Sequence, residues 1–249
     1  MRNILILGGT TEASALAKAV AERGDCAVLS YAGRTDSPRP QPVPVRVGGF
    51  GGVAGLAAYL KKEAVTHLID ATHPFAATMS AHAAEAAQQA GAAHMMLTRP
   101  AWEAGEGDRW THVADIAGAV AALDGEPRRV MLALGRMHVA AFAAKPQHHY
   151  LLRFVDAPDE PPALPHHHLV VDRGPFTLDG DLALMRAQRI DLIVAKNAGG
   201  KGARAKIDAA RAIGLPVIMI DRPALPRTQV AHSIGEALAW IDHSAQRGV

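Results

Sequence analysis

"NILILGGTTEAS", residues Asn3 to Ser14, decides how the rest of the chain is read. Ile4–Leu7 reads as a short buried strand, Gly8 and Gly9 as a turn, and Glu12–Arg23 as a helix stopped by Gly24 and Asp25. A strand, a glycine turn and a helix start make a phosphate-binding element. Glycines let backbone N–H groups approach an anion, and the helix end adds unpaired donors and positive potential. Thr10 and Thr11 can add hydroxyl donors. The G-x-G-x-x-G/A frame is incomplete: Gly8 is its first glycine, Thr10 replaces the second, and Ala13 fills the third. Gly8, Gly9, Thr10, Thr11 and Glu12 are thus expected to hold a dinucleotide, with approach limited by the missing glycine. A plain structural turn is the competing explanation.

Outward from this stretch, short apolar runs alternate with helical ones. Strands are expected at Ala27–Tyr31, His67–Ala71 and Ala93–Leu97, and helices at Val53–Glu63, Pro74–Ala90 and Asp115–Leu123. Between them, Asp36–Val45 carries four prolines and is expected to run extended and irregular. The pattern restarts with a strand at Arg129–Leu134 and a helix at Met137–Ala144. Strands at Tyr150–Val155 and Leu169–Val171 come next, then a helix at Leu178–Gln188, a strand at Leu192–Ala195 and a helix at Ala203–Ile213. A strand at Pro216–Ile220 and a helix at Ile234–Asp242 close the chain. Such alternation predicts βαβ units and parallel sheets covered on both faces. The expectation is an α/β protein of two domains, 1–126 and 127–249, divided near Gly125-Glu126-Pro127. One continuous sheet is the alternative.

Composition narrows the function. The chain has 249 residues, 49% hydrophobic, enough for a full core. Its net charge of +2 suits an anionic small molecule and is too weak to imply nucleic acid; 4% aromatic residues leave little for base stacking. One cysteine, Cys26, excludes an intrachain disulfide framework. No stretch approaches a membrane span or a signal peptide, so a cytoplasmic protein is expected. His148-His149 and His166-His167-His168 lack an accompanying acid or cysteine framework, and no metal site is expected.

The second strand separates the two nicotinamide dinucleotides. NAD sites usually place an acid about 20 residues on, to hold the ribose 2′-OH. Here the strand ends in Tyr31-Ala32-Gly33-Arg34, with an arginine instead. A guanidinium suits bidentate contact with phosphate, which points to the 2′-phosphate of NADP. An ordinary exposed arginine is the bland reading.

Two further constellations fall at strand ends. "DATHPFAA", Asp70 to Ala77, places Asp70 and Thr72 where they can meet a ribose or simply cap the helix, and His73 where it can donate a proton near neutral pH. "AKNAGGKGARAK", Ala195 to Lys206, gathers Lys196, Lys201, Arg204 and Lys206 around Gly199-Gly200 and would attract a polyanion. A solvated helix face is the alternative, although a lysine at a strand's carboxyl end favours a ligand. Gly135-Arg136, "VDRGPF" at 171–176 and "RPAW" at 99–102 also carry arginines to strand ends.

Taken together, "ILILGGTTEA", "YAGR", "VRVGGFGG", "LIDATHPFAA", "LTRPAW", "RGPF", "AKNAGGKGARAKIDAAR" and "LPVIMIDRP" resemble the precorrin-6A reductase family of cobalamin biosynthesis, over nearly the whole chain. The resemblance implies two Rossmann-like α/β domains, each a mainly parallel sheet flanked by helices, with NADPH in the cleft between them. It implies reduction of a ring double bond of a carboxylate-edged tetrapyrrole, from precorrin-6A to precorrin-6B. In that frame Gly8–Glu12 hold the pyrophosphate and Arg34 the 2′-phosphate, and Asp70, Thr72 and His73 line the nicotinamide side. Asn197, Gly199, Gly200, Lys201, Arg204 and Arg136 face the substrate, and His73 and Lys196 serve catalysis. Ala198 stands where the family often has serine, and "LALGR" stands where a Thr-Gly or Ile-Gly-Ser type ending is common. The expected partners are the tetrapyrrole alone, with a monomer in transient contact with pathway neighbours. The rivals are a cobalt-precorrin-6A reductase and a non-enzymatic NADPH-sensing module. A short-chain reductase is disfavoured because no tyrosine is followed by lysine in the Tyr-x-x-x-Lys spacing.

Overall fold

A computed structural model of the chain describes residues 2–33 and 40–244, and the chain separates into two compact units, 1–100 with 224–249, and 101–223. Arg34 lies outside the described residues.

The first unit is built on β1 (Asn3–Leu7), β2 (Cys26–Tyr31), β3 (Val45–Val47), β4 (His67–Asp70), β5 (Ala93–Leu97) and, from the far end of the chain, a strand at Gln229–Ala231. All pair in parallel, and β3-β2-β1-β4-β5 followed by that last strand is the 3-2-1-4-5-6 order of a Rossmann sheet. Successive residues of β1 face opposite sides. Ile4 and Ile6 pack with Leu16 and Val20 of α1 (Thr11–Glu22) and with Ile241 of the C-terminal helix, Ile234–Ser244. Leu5 and Leu7 pack with Leu56 and Leu60 of α2 (Gly52–Lys62) and Ala83 and Ala86 of α3 (Ala77–Ala90). From Ile4 to Leu7, β1 is therefore apolar because both of its faces are covered.

The second unit repeats the order. Its strands are β6 (Arg109–Val113), β7 (Arg129–Ala133), β8 (His149–Phe154), β9 (His167–Val171), β10 (Leu192–Lys196) and β11 (Pro216–Ile220), with Gln229–Ala231 then being β12. They run β9-β8-β7-β10-β11-β6, again all parallel. Helices α4 (Ile116–Ala121), α5 (Leu178–Ala187) and α6 (Ala205–Ala212) accompany them, and α7 is the Ile234–Ser244 helix.

The expected boundary at 126 is corrected by this pairing. Each half of the sequence carries six strands, but the sixth is exchanged: β6 joins β11 of the second sheet and β12 joins β5 of the first. The chain thus passes between units twice, at 100/101 and 223/224. Two local expectations also change. Pro74 lies in a turn three residues before α3, and residues 136–144 form a 3-10 helix instead of an α-helix. No helix among the described residues is long and apolar enough to cross a membrane.

Candidate active site

In a 3-2-1-4-5-6 sheet the order reverses between the first and fourth strands, and ligands bind beyond their carboxyl ends. In the first unit those ends carry Gly8–Glu12, after β1, and Asp70–His73, at the end of β4. Gly8 donates its amide to Ser30 O at 2.8 Å, and a Cβ there would stand 2.7 Å from Leu29 Cδ1, so a larger residue would make the Leu29 side chain shift. Gly9 has φ +117° and open space within 4 Å of where a Cβ would be, leaving room for an anion to approach the backbone.

The next side chains along the chain are engaged with the protein. Thr10 caps α1 by accepting from the Ala13 amide at 3.1 Å, and donates its hydroxyl proton to Ala71 O at 2.7 Å. One hydroxyl thereby closes the helix and ties the β1 turn to the end of β4. Thr11 donates to Glu12 Oε2 at 3.1 Å, and the same oxygen accepts from Arg99 at 2.6 Å, just beyond β5. The expected hydroxyl donors thus point at protein groups, which leaves backbone N–H groups to meet a phosphate.

Asp70 is 1% exposed. Its Oδ1 accepts from the Thr72 amide at 3.0 Å and the Thr72 hydroxyl at 2.6 Å, the local capping turn open to this sequence from the start. Its Oδ2 is buried without a hydrogen-bond partner, an acceptor left over at the switch point. His73 Nδ1 accepts from the Phe75 amide at 3.2 Å, which places the proton of a neutral ring on Nε2. The strand end that leads into Arg34 is held by the next one. Tyr31 O accepts from Gly48 N at 2.9 Å, and Gly33, with φ +77°, lies against Val47 and Gly48.

In the second unit, β10 brings Lys196, Asn197, Gly199, Gly200, Lys201 and Arg204 to its carboxyl end, and the neighbouring β7 brings Arg136. Arg136 and Lys201 are exposed, and Lys196 is half-buried. Asn197 is engaged with the protein. At 5% exposure, its amide accepts from the Trp102 N–H at 2.7 Å and donates to the Trp102 carbonyl at 2.9 Å, so it holds both backbone groups of one distant residue. The Trp102 indole donates to Gly200 O at 2.7 Å, and Arg222 donates to the carbonyls of Asn197 at 3.0 Å and Ala198 at 3.2 Å. Gly199 and Gly200 take φ of +69° and +67° in this clamped loop. Arg204 pairs with Asp208 at 3.0 Å, and Lys206 is buried, donating to Ala203 O at 2.6 Å beneath the Trp102 ring. The cation run therefore divides: Lys201 faces solvent, while Lys206 is structural.

Sequence reading brought Arg99 to this edge but missed its partner Glu12, and it missed Trp102, Arg222 and Arg46 as organisers. Their partners lie far off in the chain, except for those of Arg46, whose signal was an arginine two residues before a Gly-Gly-Phe-Gly-Gly loop.

The comparisons agree with this architecture. Residues 3–242 match the family model described as precorrin-6x reductase CbiJ/CobK. The chain is 57% identical over 251 residues to the precorrin-6A reductase of Rhodobacter capsulatus, with the whole of both proteins covered. It is 27% identical to the cobalt-precorrin-6A reductase of Priestia megaterium, covering 89% of this chain and 91% of that protein. A solved structure, CobK precorrin-6A reductase, superposes with a TM-score of 0.96 at 55% identity over all of both chains.

Proposed function

Because this chain belongs to the precorrin-6x reductase CbiJ/CobK family, we propose that it reduces a ring double bond of precorrin-6A with NADPH, giving precorrin-6B in cobalamin biosynthesis. The observation that carries the cofactor is the first unit's switch point. There the Gly8-Gly9 turn enters the N-terminus of α1 with open space above Gly9. Such a turn fits a pyrophosphate held by backbone N–H groups from Gly9 to Glu12. Arg34 follows the strand end where a Rossmann sheet meets the adenosine ribose, and we assign it the 2′-phosphate.

When bound, NADPH supplies the hydride. The protein's part is to place groups and exclude water. Asp70 Oδ2, buried and lacking a partner, is placed to accept from the ribose or carboxamide of the nicotinamide half. His73, with its proton on Nε2 when neutral, is assigned to hold the proton that completes the reduction. In the second unit Lys196 supplies a fixed cation that steadies charge as the conjugated ring is reduced. Lys201, Arg204 and Arg136 attract the carboxylate rim, with Gly199 and Gly200 shaping the loop and Asn197 holding it in place. We read the enzyme as a cytoplasmic monomer that meets its pathway neighbours transiently.

The much higher identity to a relative named for precorrin-6A than to one named for the cobalt-bearing compound favours the metal-free substrate. Anaerobic incubation of the protein with NADPH and precorrin-6A tests the reading. The expected result is loss of NADPH matched by a shift of the macrocycle band and a mass gain of two hydrogens. Tight NADPH binding without turnover of either macrocycle would favour the sensing module. Turnover of the cobalt-bearing compound alone would reassign the substrate. Arg34→Ala should raise KM for NADPH by about tenfold or more and leave KM for NADH little changed; equal effects would remove Arg34 from the 2′-phosphate.

A further inference from the structure

We infer that Arg46 is a positioning residue for the adenosine end of the cofactor site, acting through the Gly48–Gly52 loop; this rests on the NADPH reading above. The loop needs such a device. Gly48, Gly51 and Gly52 have φ of +119°, +79° and +86°, backbone states that side-chain-bearing residues rarely adopt, so the chain there has much freedom to lose. Three independent restraints fix it. Arg46 reaches from the middle of β3 to donate to the carbonyls of Gly48 and, at 2.7 Å, Gly49, while its guanidinium lies 3.8 Å above the centre of the Phe50 ring. Phe50 in turn meets Tyr59 of α2 edge to face at 5.2 Å. On that helix, a Cβ at Gly55 would fall 1.7 Å from the Phe50 carbonyl oxygen, so only glycine lets the loop settle there.

The third restraint says what the loop is for. Gly48 donates to Tyr31 O at 2.9 Å, which joins the loop to the tip of β2, the strand end that faces the adenosine ribose in this sheet order. Gly33, one residue before Arg34, packs beside it: a Cβ there would stand 3.5 Å from Val47 Cγ1 and 3.9 Å from Gly48 N. The loop is thus the wall of the segment that leads into Arg34. Arg46 aims its donors at two carbonyl oxygens and, at 3.4 Å, the Ser30 hydroxyl of β2, and its flat face at Phe50, so it acts by holding this wall. A lysine carries one compact charge and cannot both stack and bridge two carbonyls.

Steady-state kinetics of the full chain with saturating precorrin-6A test this, with thermal melts recorded for each variant. Arg46→Ala and Arg46→Lys should each raise KM for NADPH by about tenfold, while kcat and KM for the macrocycle stay within about twofold. Gly55→Ala reaches the same loop without touching the guanidinium and should give the same split. NADPH binding followed by fluorescence supplies the affinity even where turnover is slow. Folded Arg46 variants with wild-type KM for NADPH, or with losses confined to kcat and macrocycle KM, would overturn the inference. The cofactor reading fails on a separate result: wild-type protein that uses NADH as well as NADPH.

Discussion

The two units share a strand order and differ in the segments after the equivalent strands β1 and β7. After β1 comes a capped twelve-residue α-helix whose N-terminal amides point toward the ligand edge. After β7 comes Gly135 with no side-chain cap, and then a 3-10 helix. A 3-10 turn aligns its peptide groups less well, so the second unit lacks the first unit's concentrated positive end. The ion pairs differ likewise. The first unit has a partly exposed Arg99–Glu12 pair at its ligand edge, and the second a buried Arg153–Asp181 pair joining β8 to α5 under the Phe176 ring. Equal topology thus carries unequal chemistry: one sheet edge suits a dinucleotide, the other exposes Arg136 and Lys201 around a clamped loop.

The comparison can be tested by removing one feature at a time. The largest effect is expected from Asp181→Ala, which leaves Arg153 buried without its counter-charge and should lower stability in urea by about 3–5 kcal/mol. A loss no greater than for Glu12→Ala would erase the contrast between the pairs. Next is Asn197→Ala, which strands the N–H and C=O of Trp102 at a cost of about 2–3 kcal/mol. Its KM for the macrocycle should rise while NADPH affinity holds; the opposite pattern would move the loop to the cofactor side. Gly8→Ala and Gly135→Ala sharpen the difference further. The first drives a methyl into Leu29, and the second forces a side chain into φ +73° and ψ +163°, each costing about 1–3 kcal/mol. Only Gly8→Ala should weaken NADPH binding in a fluorescence titration.

The smallest effect concerns pH. Burial holds His67 and His94 in the first unit below the usual 6.5, with Asp70 partly opposing it for His94; in the second unit burial, together with Arg129 and neighbouring histidines, lowers His149. The unfolded chain then takes up protons before the folded one does. Stability from these neutral rings is complete above pH 6.5 and falls as the pH drops from there toward the folded pKa values. Thermal midpoints across that window should decline modestly, and His94→Leu should flatten part of the slope. An unchanged slope would show that His94 is not the titrating group.

The central strands and the ligand-edge motifs were legible because they are written locally, as apolar runs ending in glycine, threonine or lysine. The strands that escaped were β3, β6 and β12, all at sheet edges. "VRV", "RWTHV" and "QVA" are short or polar, since an edge strand is solvated and needs no continuous apolar run. Two of them carry the exchange between sheets, so the boundary at 126 followed the restart of the strand–helix alternation and not the pairing. At the site, Asn197 was assigned to substrate for a related reason. Its partner Trp102 is 95 residues away, and nothing near position 197 reveals that its amide is already matched. Asp70 and Thr72 were open to a local reading because the bond between them spans two residues.

The exchanged edge strands also impose an order on biosynthesis. The first sheet begins with β1, which is translated before any residue of the second unit, yet its sixth strand, Gln229–Ala231, is translated after all of that unit. Until those residues emerge, the outer edge of β5 offers unpaired N–H and C=O groups to any extended chain nearby. The second unit, by contrast, has its edge strand β6 made before the rest of its sheet. The unit translated first is therefore the unit finished last, and a ribosome that stops short of residue 229 releases a chain whose second unit can close while its first cannot.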